Sequence, residues 1–235
     1  MIDIKRKLDK YLEFDSNELF FDPMVRIFGG AIRDSIVGDP IKDVDILTGS
    51  KSLKLLEFLL EKNGYIFQES LIPKDLASIY TDIHVISEPH TWVKGTKIVQ
   101  LIRPSKNFKI SPDGSNIKDA SDFKTYYQMF LNLIENVDIS CCGVSYDGIN
   151  IYENYPDAIL YCKTKSFSIN HTAAMYSEKR IEHRRAKLLD RGWRQVQGKV
   201  EKRDLIIEGI IGNKIEIEYI AYGESSNLEF STIGL

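Results

Sequence analysis

The sequence predicts an α+β fold. Three observations carry that prediction: short strand-like runs bounded by Gly, Pro and Asn, stretches with helical apolar spacing, and an Asp147-Gly148 pair set between two apolar runs. An opening helix is expected over Ile4 to Leu12. Val25 to Phe28 reads as a short apolar strand, Gly29 and Gly30 permit a tight turn, and Ala31 to Val37 starts a helix whose first N–H groups face that turn. After the Gly38-Asp39-Pro40 break, Asp43 to Leu47 reads as a strand. A helix capped by Ser50 then carries Leu53, Leu56, Phe58, Leu59 and Leu60 and stops at Asn63-Gly64.

Strands follow at Tyr65 to Phe67, at Ser78 to Ile86 and at Lys97 to Ile102. Asp113 to Asn116 reads as a loop, and Phe123 to Ile134 as a helix with Tyr126, Tyr127, Phe130 and Leu133 on its apolar side. Val137 to Tyr146 is expected as a continuous strand, turned back at Asp147-Gly148 into Ile149 to Tyr152. A long helix is expected over Ala173 to Arg191, then strands at Leu205 to Ile210 and Ile215 to Tyr222.

Composition narrows the class. With 235 residues the chain can bury a sizeable core in one domain, or in a larger domain with an appendage. Its 43% hydrophobic and 28% charged content shows neither disordered nor fibrous bias, and no window reads as a membrane span. Lys5, Arg6 and Lys7 stand where a secretory signal needs apolar residues, so cytoplasmic residence is expected, with no membrane partner. Cys141 and Cys142 are adjacent and Cys162 stands alone, which predicts buried free thiols rather than a disulfide framework or a zinc site. The four histidines show no ligand spacing.

The net charge of −3 hides an asymmetry, because Glu178 to Asp204 holds ten Lys or Arg against five Asp or Glu. That segment is either the solvated face of an amphipathic helix, with Ile181, Leu188 and Leu189 as its apolar stripe, or a holder of phosphates. Trp193 after Gly192 is correspondingly a base-stacking platform or a core aromatic.

The chemistry-bearing residues lie near the start. A glycine turn feeding a helix N-terminus is a ready site for a triphosphate. Asp43 and Asp45, at strand spacing, place two carboxylates on one face, an arrangement that attracts Mg²⁺. Arg33 can clamp phosphate bidentately or pair with Asp34 or Asp45, and we expect Arg33 and Asp34 to brace the loop that carries the carboxylates.

Gly29 to Thr48 resembles the signature of class II tRNA nucleotidyltransferases and bacterial poly(A) polymerases, of the DNA polymerase β-like superfamily. That pattern is Gly-Gly, a spacer of two, Arg-Asp, a short loop with Gly, Asp-x-Asp, a hydrophobic residue and often Thr. It is matched at Gly29, Gly30, Arg33, Asp34, Gly38, Asp43, Asp45, Ile46 and Thr48. The resemblance is clear over residues 25–48 and fainter at the strand around Asp138 and the helix with Glu178, Arg180, Arg184 and Arg185. It implies a catalytic domain over 1–165, a mixed antiparallel sheet flanked by helices, followed by a neck-like basic helix and β-rich segment over 166–235.

The implied activity is transfer of NMP from an NTP to a hydroxyl, with pyrophosphate released and Mg²⁺ or Mn²⁺ required. The implied acceptor is an RNA, tRNA-like 3′ end. Gly29, Gly30, Arg33, Asp34, Arg184 and Arg185 would bind nucleotide, and Asp43, Asp45 and a third carboxylate would hold metal. Asp138 is the candidate third acid, at the start of an apolar strand where its charge would need a partner or a cation.

Two departures stand out. The family commonly supplies the third acid from a Glu at the start of a strand ending in Leu-Arg, and Lys97 to Arg103 has none. Glu182-His183-Arg184-Arg185 carries the ingredients of the base-selecting Glu-Asp-x-x-Arg neck without matching it. The family's tRNA enzymes also carry long helical body and tail regions after the neck, so addition of one or a few nucleotides, or capping of a non-RNA hydroxyl as toxin or resistance enzymes do, is the expected scale of activity. The alternatives are a weak or inactive nucleotide- or RNA-binding module of the same fold, and a structural protein in which the motif is coincidental.

Overall fold

The computed structural model describes residues 3–68, 87–104, 137–170, 178–197, 207–208 and 214–215. The strand expected at 78–86, the loop at 113–116 and the helix at 123–134 lie outside the described residues, as do 173–177 of the long helix. Of the two last strands, Ile207–Glu208 pairs antiparallel with Lys214–Ile215, and the remainder lies outside as well.

Helix α1 (Ile4–Leu12) buries Ile4, Leu8 and Leu12, and Asp3 caps it by accepting from the Arg6 amide. Strand β1 (Arg26–Phe28), helix α2 (Gly30–Val37) and strand β2 (Asp43–Leu47) form the expected strand, turn, helix, strand unit. Helix α3 (Ser50–Lys62) begins one residue earlier than its expected cap implies. Gly49 holds the extended capping conformation (φ −78°, ψ 160°), and Ser50 is already helical. The stop is as expected, with Asn63 as cap and Gly64 left-handed at φ 80°.

Next come β3 (Ile66–Gln68), β4 (Ser87–Lys94) and β5 (Lys97–Pro104), then β6 (Val144–Tyr146) and β7 (Ile151–Glu153). The C-terminal elements are α4 (Ala158–Lys163), β8 (Ser166–Phe167), α5 (Glu178–Leu189) and β9 (Arg194–Gln195). The chain is thus α+β: a seven-stranded sheet in the order β3-β4-β5-β2-β1-β6-β7 carries the helices, and β8 and β9 make a separate parallel pair. Within the large sheet β2 and β5 run parallel, and the other pairings are antiparallel.

One expected element is corrected. Val137 to Tyr146 is not a continuous strand: Ile139 makes a single bridge to Ile169, Ser140–Cys142 forms a 3-10 turn, and only then does β6 begin. The Gly143 amide closes that turn on Ser140 O, and Tyr155 packs so near Gly143 that a Cβ there would collide with it. Close packing on a glycine therefore overrides the strand propensity of the run. The Asp147-Gly148 hairpin forms as expected, with Asp147 Oδ1 accepting from the Ile149 and Asn150 amides.

Ile27, Val44, Ile46, Val99 and Leu101 join Leu8, Leu12, Leu56 and Leu60 in one buried cluster. With Val44 and Ile46 committed to that core, strand alternation turns Asp43 and Asp45 to the opposite side of β2. Three arginines of the basic segment, Arg180, Arg184 and Arg191, are drawn inward against acids of the rest of the chain. Among the described residues no helix is long and apolar enough to cross a membrane.

Candidate active site

Gly29 occupies φ 69°, ψ −127°, a conformation essentially restricted to glycine, and its amide donates to Val144 O on β6 at 2.9 Å. The turn is therefore pinned to the sheet rather than loose. Helix α2 starts at once: the Arg33 amide is bonded to Gly29 O at 3.0 Å, which leaves the first-turn amides of Gly30, Ala31 and Ile32 without intrahelical acceptors. A Cβ on Gly30 would stand 3.6 Å from both Arg33 Nη2 and Asp43 Oδ1. The bare Gly30 thus faces a niche shared by the helix N-terminus, one guanidinium edge and one carboxylate.

The two carboxylates differ in setting. Asp45 Oδ1 is sealed from solvent with no hydrogen-bond partner among the described residues, although the residue as a whole is only half-buried. Burial first, then repulsion from Asp43, pushes the Asp45 carboxyl up to about 8, with Cys142 adding to the rise and Arg184 and Lys187 opposing it. A buried, unpartnered oxygen beside a second carboxylate is the donor set that a divalent cation satisfies, so Asp43 and Asp45 fit a metal. The Tyr11 hydroxyl donates to Lys42 O at 2.6 Å and accepts from the Ile98 amide at 2.9 Å, which ties the ends of β2 and β5 together. Burial and the charges of Asp43 and Asp45 raise its pKa.

Across the parallel register, Gln100 of β5 stands beside Asp45, and its amide donates to Thr91 Oγ1 at 3.2 Å. This is the strand on which the sequence showed no acid, and the structure puts an uncharged amide next to the aspartate pair.

Asp138, the candidate third acid, lies on no neighbour of β2, whose neighbours are β1 and β5; it precedes the 3-10 turn that leads to β6. Its charge was expected to need a partner or a cation, and Arg180 and Arg184 are partners. Asp138 is 1% exposed, Oδ1 accepts from Arg184 Nη1 at 2.5 Å, and Oδ2 lies 3.8 Å from Arg180 Nε. Among the described residues, no three His, Cys, Asp or Glu side chains are placed to hold one ion.

Of the predicted nucleotide-binding residues, Gly30, Arg33 and Arg184 are brought together, Arg33 beside Gly30 and both arginines on Cys142 Sγ, whereas Arg185 has other partners. Arg33 and Asp34 are both buried on α2, and Arg33 Nε donates to Asp34 Oδ1 at 2.8 Å. Burial opposes the Arg33 charge, yet Cys142, Asp34 and Cys141 outweigh it and raise its pKa. Arg184 also donates through Nη2 to Cys142 Sγ at 3.5 Å, and its charge reaches Asp45. Arg185 instead donates to Gln195 Oε1 and Glu182 Oε2, at 2.7 and 3.1 Å.

Sequence reasoning placed Cys142 among the buried free thiols, as found, and Arg180 and Arg191 in the basic segment, but gave none of them a role in the site. Cys142 Sγ accepts from Arg33 as well as Arg184, and a bond from Cys141 together with these two guanidinium groups holds it down to about 5 against burial. Adjacent cysteines carried no signal for this, since both partners come from distant helices. Trp193 resolves to the core reading: it is 2% exposed, and Arg33 Cζ lies 5.4 Å from its ring centroid.

No family model matches the chain, and no curated protein does. Solved structures similar to it include a CCA-adding enzyme in complex with ATP (TM-score 0.47, 11% identity, 74% of this chain and 35% of that one). A tRNA-processing enzyme in apo form I (0.43, 13%, 73% and 39%) and the Bacillus stearothermophilus CCA-adding enzyme in complex with CTP (0.36, 16%, 83% and 40%) are further examples. The chain spans 35 to 40% of the length of those three chains.

Proposed function

We propose that this chain is a divalent-metal-dependent nucleotidyltransferase that moves NMP from an NTP to a hydroxyl acceptor, most naturally an RNA 3′ end. The observation that carries the reading is the convergence of Arg33 Nη2 and Asp43 Oδ1 on bare Gly30, at the N-terminus of α2. A triphosphate placed there meets helix amides and a guanidinium edge, which favour the β- and γ-phosphates, beside carboxylates that attract the accompanying ion. Mg²⁺ or Mn²⁺ held by Asp43 and Asp45 would lower the pKa of the attacking hydroxyl and offset charge on the leaving pyrophosphate. The acceptor oxygen bonds to the α-phosphorus, the bond to the β-phosphate bridging oxygen breaks, and the hydroxyl proton is released.

Asp34 braces Arg33, the role expected of the Arg-Asp pair. Asp138 serves as the buried anchor for Arg180 and Arg184, and through Arg184 it keeps a positive charge within reach of Asp45. An RNA acceptor is supported by Lys187, an exposed cation on α5 whose charge is felt at Asp45, so a backbone phosphate next to the reacting end would find a counter-charge.

A second reading, a weak or binding-only module, is favoured by Gln100 standing beside Asp45. One experiment separates them. The protein and its Asp43→Ala/Asp45→Ala variant are incubated with each α-labelled NTP, Mg²⁺ or Mn²⁺ and total RNA. Label in RNA that disappears in the variant supports transfer, label on a non-RNA product redirects the acceptor, and metal-dependent NTP binding without transfer supports the binding module.

A further inference from the structure

Arg33 is held on several sides, and two of its restraints come from one short turn far away in sequence. At the end of α5 the Arg191 and Trp193 amides both donate to Leu188 O, at 3.0 and 3.1 Å, and Gly192 between them is left-handed at φ 77°. That reversal carries Arg191 and Trp193 back onto α2. Arg191 Nη2 reaches Asp34 Oδ1 at 2.9 Å, the same oxygen that accepts from Arg33 Nε, and lies 3.4 Å from Asp39 Oδ2. Lys165 Nζ donates to Asp39 Oδ1 at 2.9 Å and fixes the far end of this chain of charges. Trp193 supplies the surface on which the Arg33 guanidinium lies. With Nε on Asp34, Nη1 on Cys142 at 3.3 Å and one face on Trp193, the edge carrying Nη2 is turned towards Gly30.

We infer that Arg191 is a positioning residue, which, with Trp193, clasps Arg33 through Asp34 so that one guanidinium edge is pre-set for the triphosphate of the bound nucleotide. The inference rests on the nucleotidyltransferase reading of the niche. Its physical content is pre-organisation: an arginine side chain left free loses rotamer entropy on meeting phosphate, and a clasped one has lost it already. Arg191 pairs with Asp34 and Asp39, so its effect on nucleotide passes through Arg33.

The test is a double-mutant cycle on the full chain, with MgATP and AMP as probes and Kd as readout. Arg191→Ala is expected to weaken MgATP roughly tenfold, the scale of one charge-assisted hydrogen bond, and AMP less than about twofold. Arg33→Ala/Arg191→Ala should bind MgATP no more weakly than Arg33→Ala alone, and Arg191→Lys should recover part of the loss by restoring a cation at Asp34. Effects that multiply, equal losses for MgATP and AMP, or unchanged MgATP affinity in folded Arg191→Ala protein would overturn the inference. Should Arg191→Ala fail to fold, Trp193→Leu removes the platform while keeping the ion pairs and is held to the same pattern. Wild-type protein that binds no MgATP overturns the proposed function and this inference with it, whereas normal wild-type binding with an indifferent Arg191→Ala overturns the clasp alone.

Discussion

Asp45→Asn is expected to stabilise the metal-free protein, increasingly so as pH rises. In the fold the Asp45 carboxyl is raised from 3.8 to about 8, so between those values the folded chain holds a proton that the unfolded chain has released. Stability contributed by that proton is complete below the unfolded pKa and is lost as pH climbs through the folded one. At about 1.4 kcal/mol per unit, the full displacement sets a ceiling of about 6 kcal/mol. The repulsion belongs to the Asp43–Asp45 pair and a relaxing site sheds part of it, so the expected gain at pH 8 is on the order of 2 kcal/mol, shrinking to nothing near pH 4. The assay is urea unfolding of both proteins in EDTA from pH 4 to pH 8. The difference between the two curves cancels the titrating groups that do not interact with Asp45 and leaves the response of the Asp43–Asp45 pair. Millimolar Mg²⁺ should then stabilise wild type at pH 8 and stabilise Asp45→Asn much less, because only the former presents two carboxylates to the ion. Parallel stability profiles, or an Asp45→Asn protein less stable than wild type at pH 8, would refute the claim that this carboxylate is buried at a cost.

Gly30→Ala should retain or slightly raise thermal stability, since its Cβ meets atoms only at 3.6 Å and alanine favours helix, while nucleotide binding and transfer fall together as the niche fills. Gly29→Ala, by contrast, should lose about 1–3 kcal/mol in denaturant unfolding, because a side chain strains φ 69° with ψ −127°. Asp138→Ala removes the carboxylate shared by Arg180 and Arg184 and should cost about 3 kcal/mol in denaturant unfolding; a loss below about 1 kcal/mol would show that it does not anchor them. Gly143→Ala, forced against Tyr155, should unfold at about 1–3 kcal/mol lower stability with nucleotide affinity intact in the folded fraction.

The parts legible in the sequence are those whose determinants are local. Alternation of Asp43, Val44, Asp45 and Ile46 within one strand fixes which side chains enter the core, and Gly29-Gly30 ahead of a helix marks its turn locally, although the turn is then pinned to Val144 O on β6. The Asp147-Gly148 hairpin likewise carries its own hydrogen bonds. What escaped was set by distant packing. Asp138 read as an acid in need of a partner or a cation, and its partners, Arg180 and Arg184, more than forty residues later, could not be placed against it from the sequence. The basic segment read as either a solvated helix face or a phosphate holder, yet its Arg180, Arg184 and Arg191 face inward to acids, and among the described residues Lys179, Lys187 and Arg194 are its exposed cations. Gly192 was the one local sign of this arrangement, a helix-ending glycine between an arginine and a tryptophan that marks where the chain doubles back.

The parallel pairing of β2 with β5 bears on how the molecule assembles. Residues 43–47 find their parallel neighbour only at 98–102, after α3, β3 and β4 have been passed, and β1 finds β6 only at 145–146. Such long-range pairings close late, since the chain must pay loop-closure entropy before they form. Until β5 is in place Asp43 and Asp45 lack the wall that strand forms beside them. If that pairing closes after the folding barrier, Asp45→Asn is expected to slow unfolding while leaving the folding rate nearly unchanged.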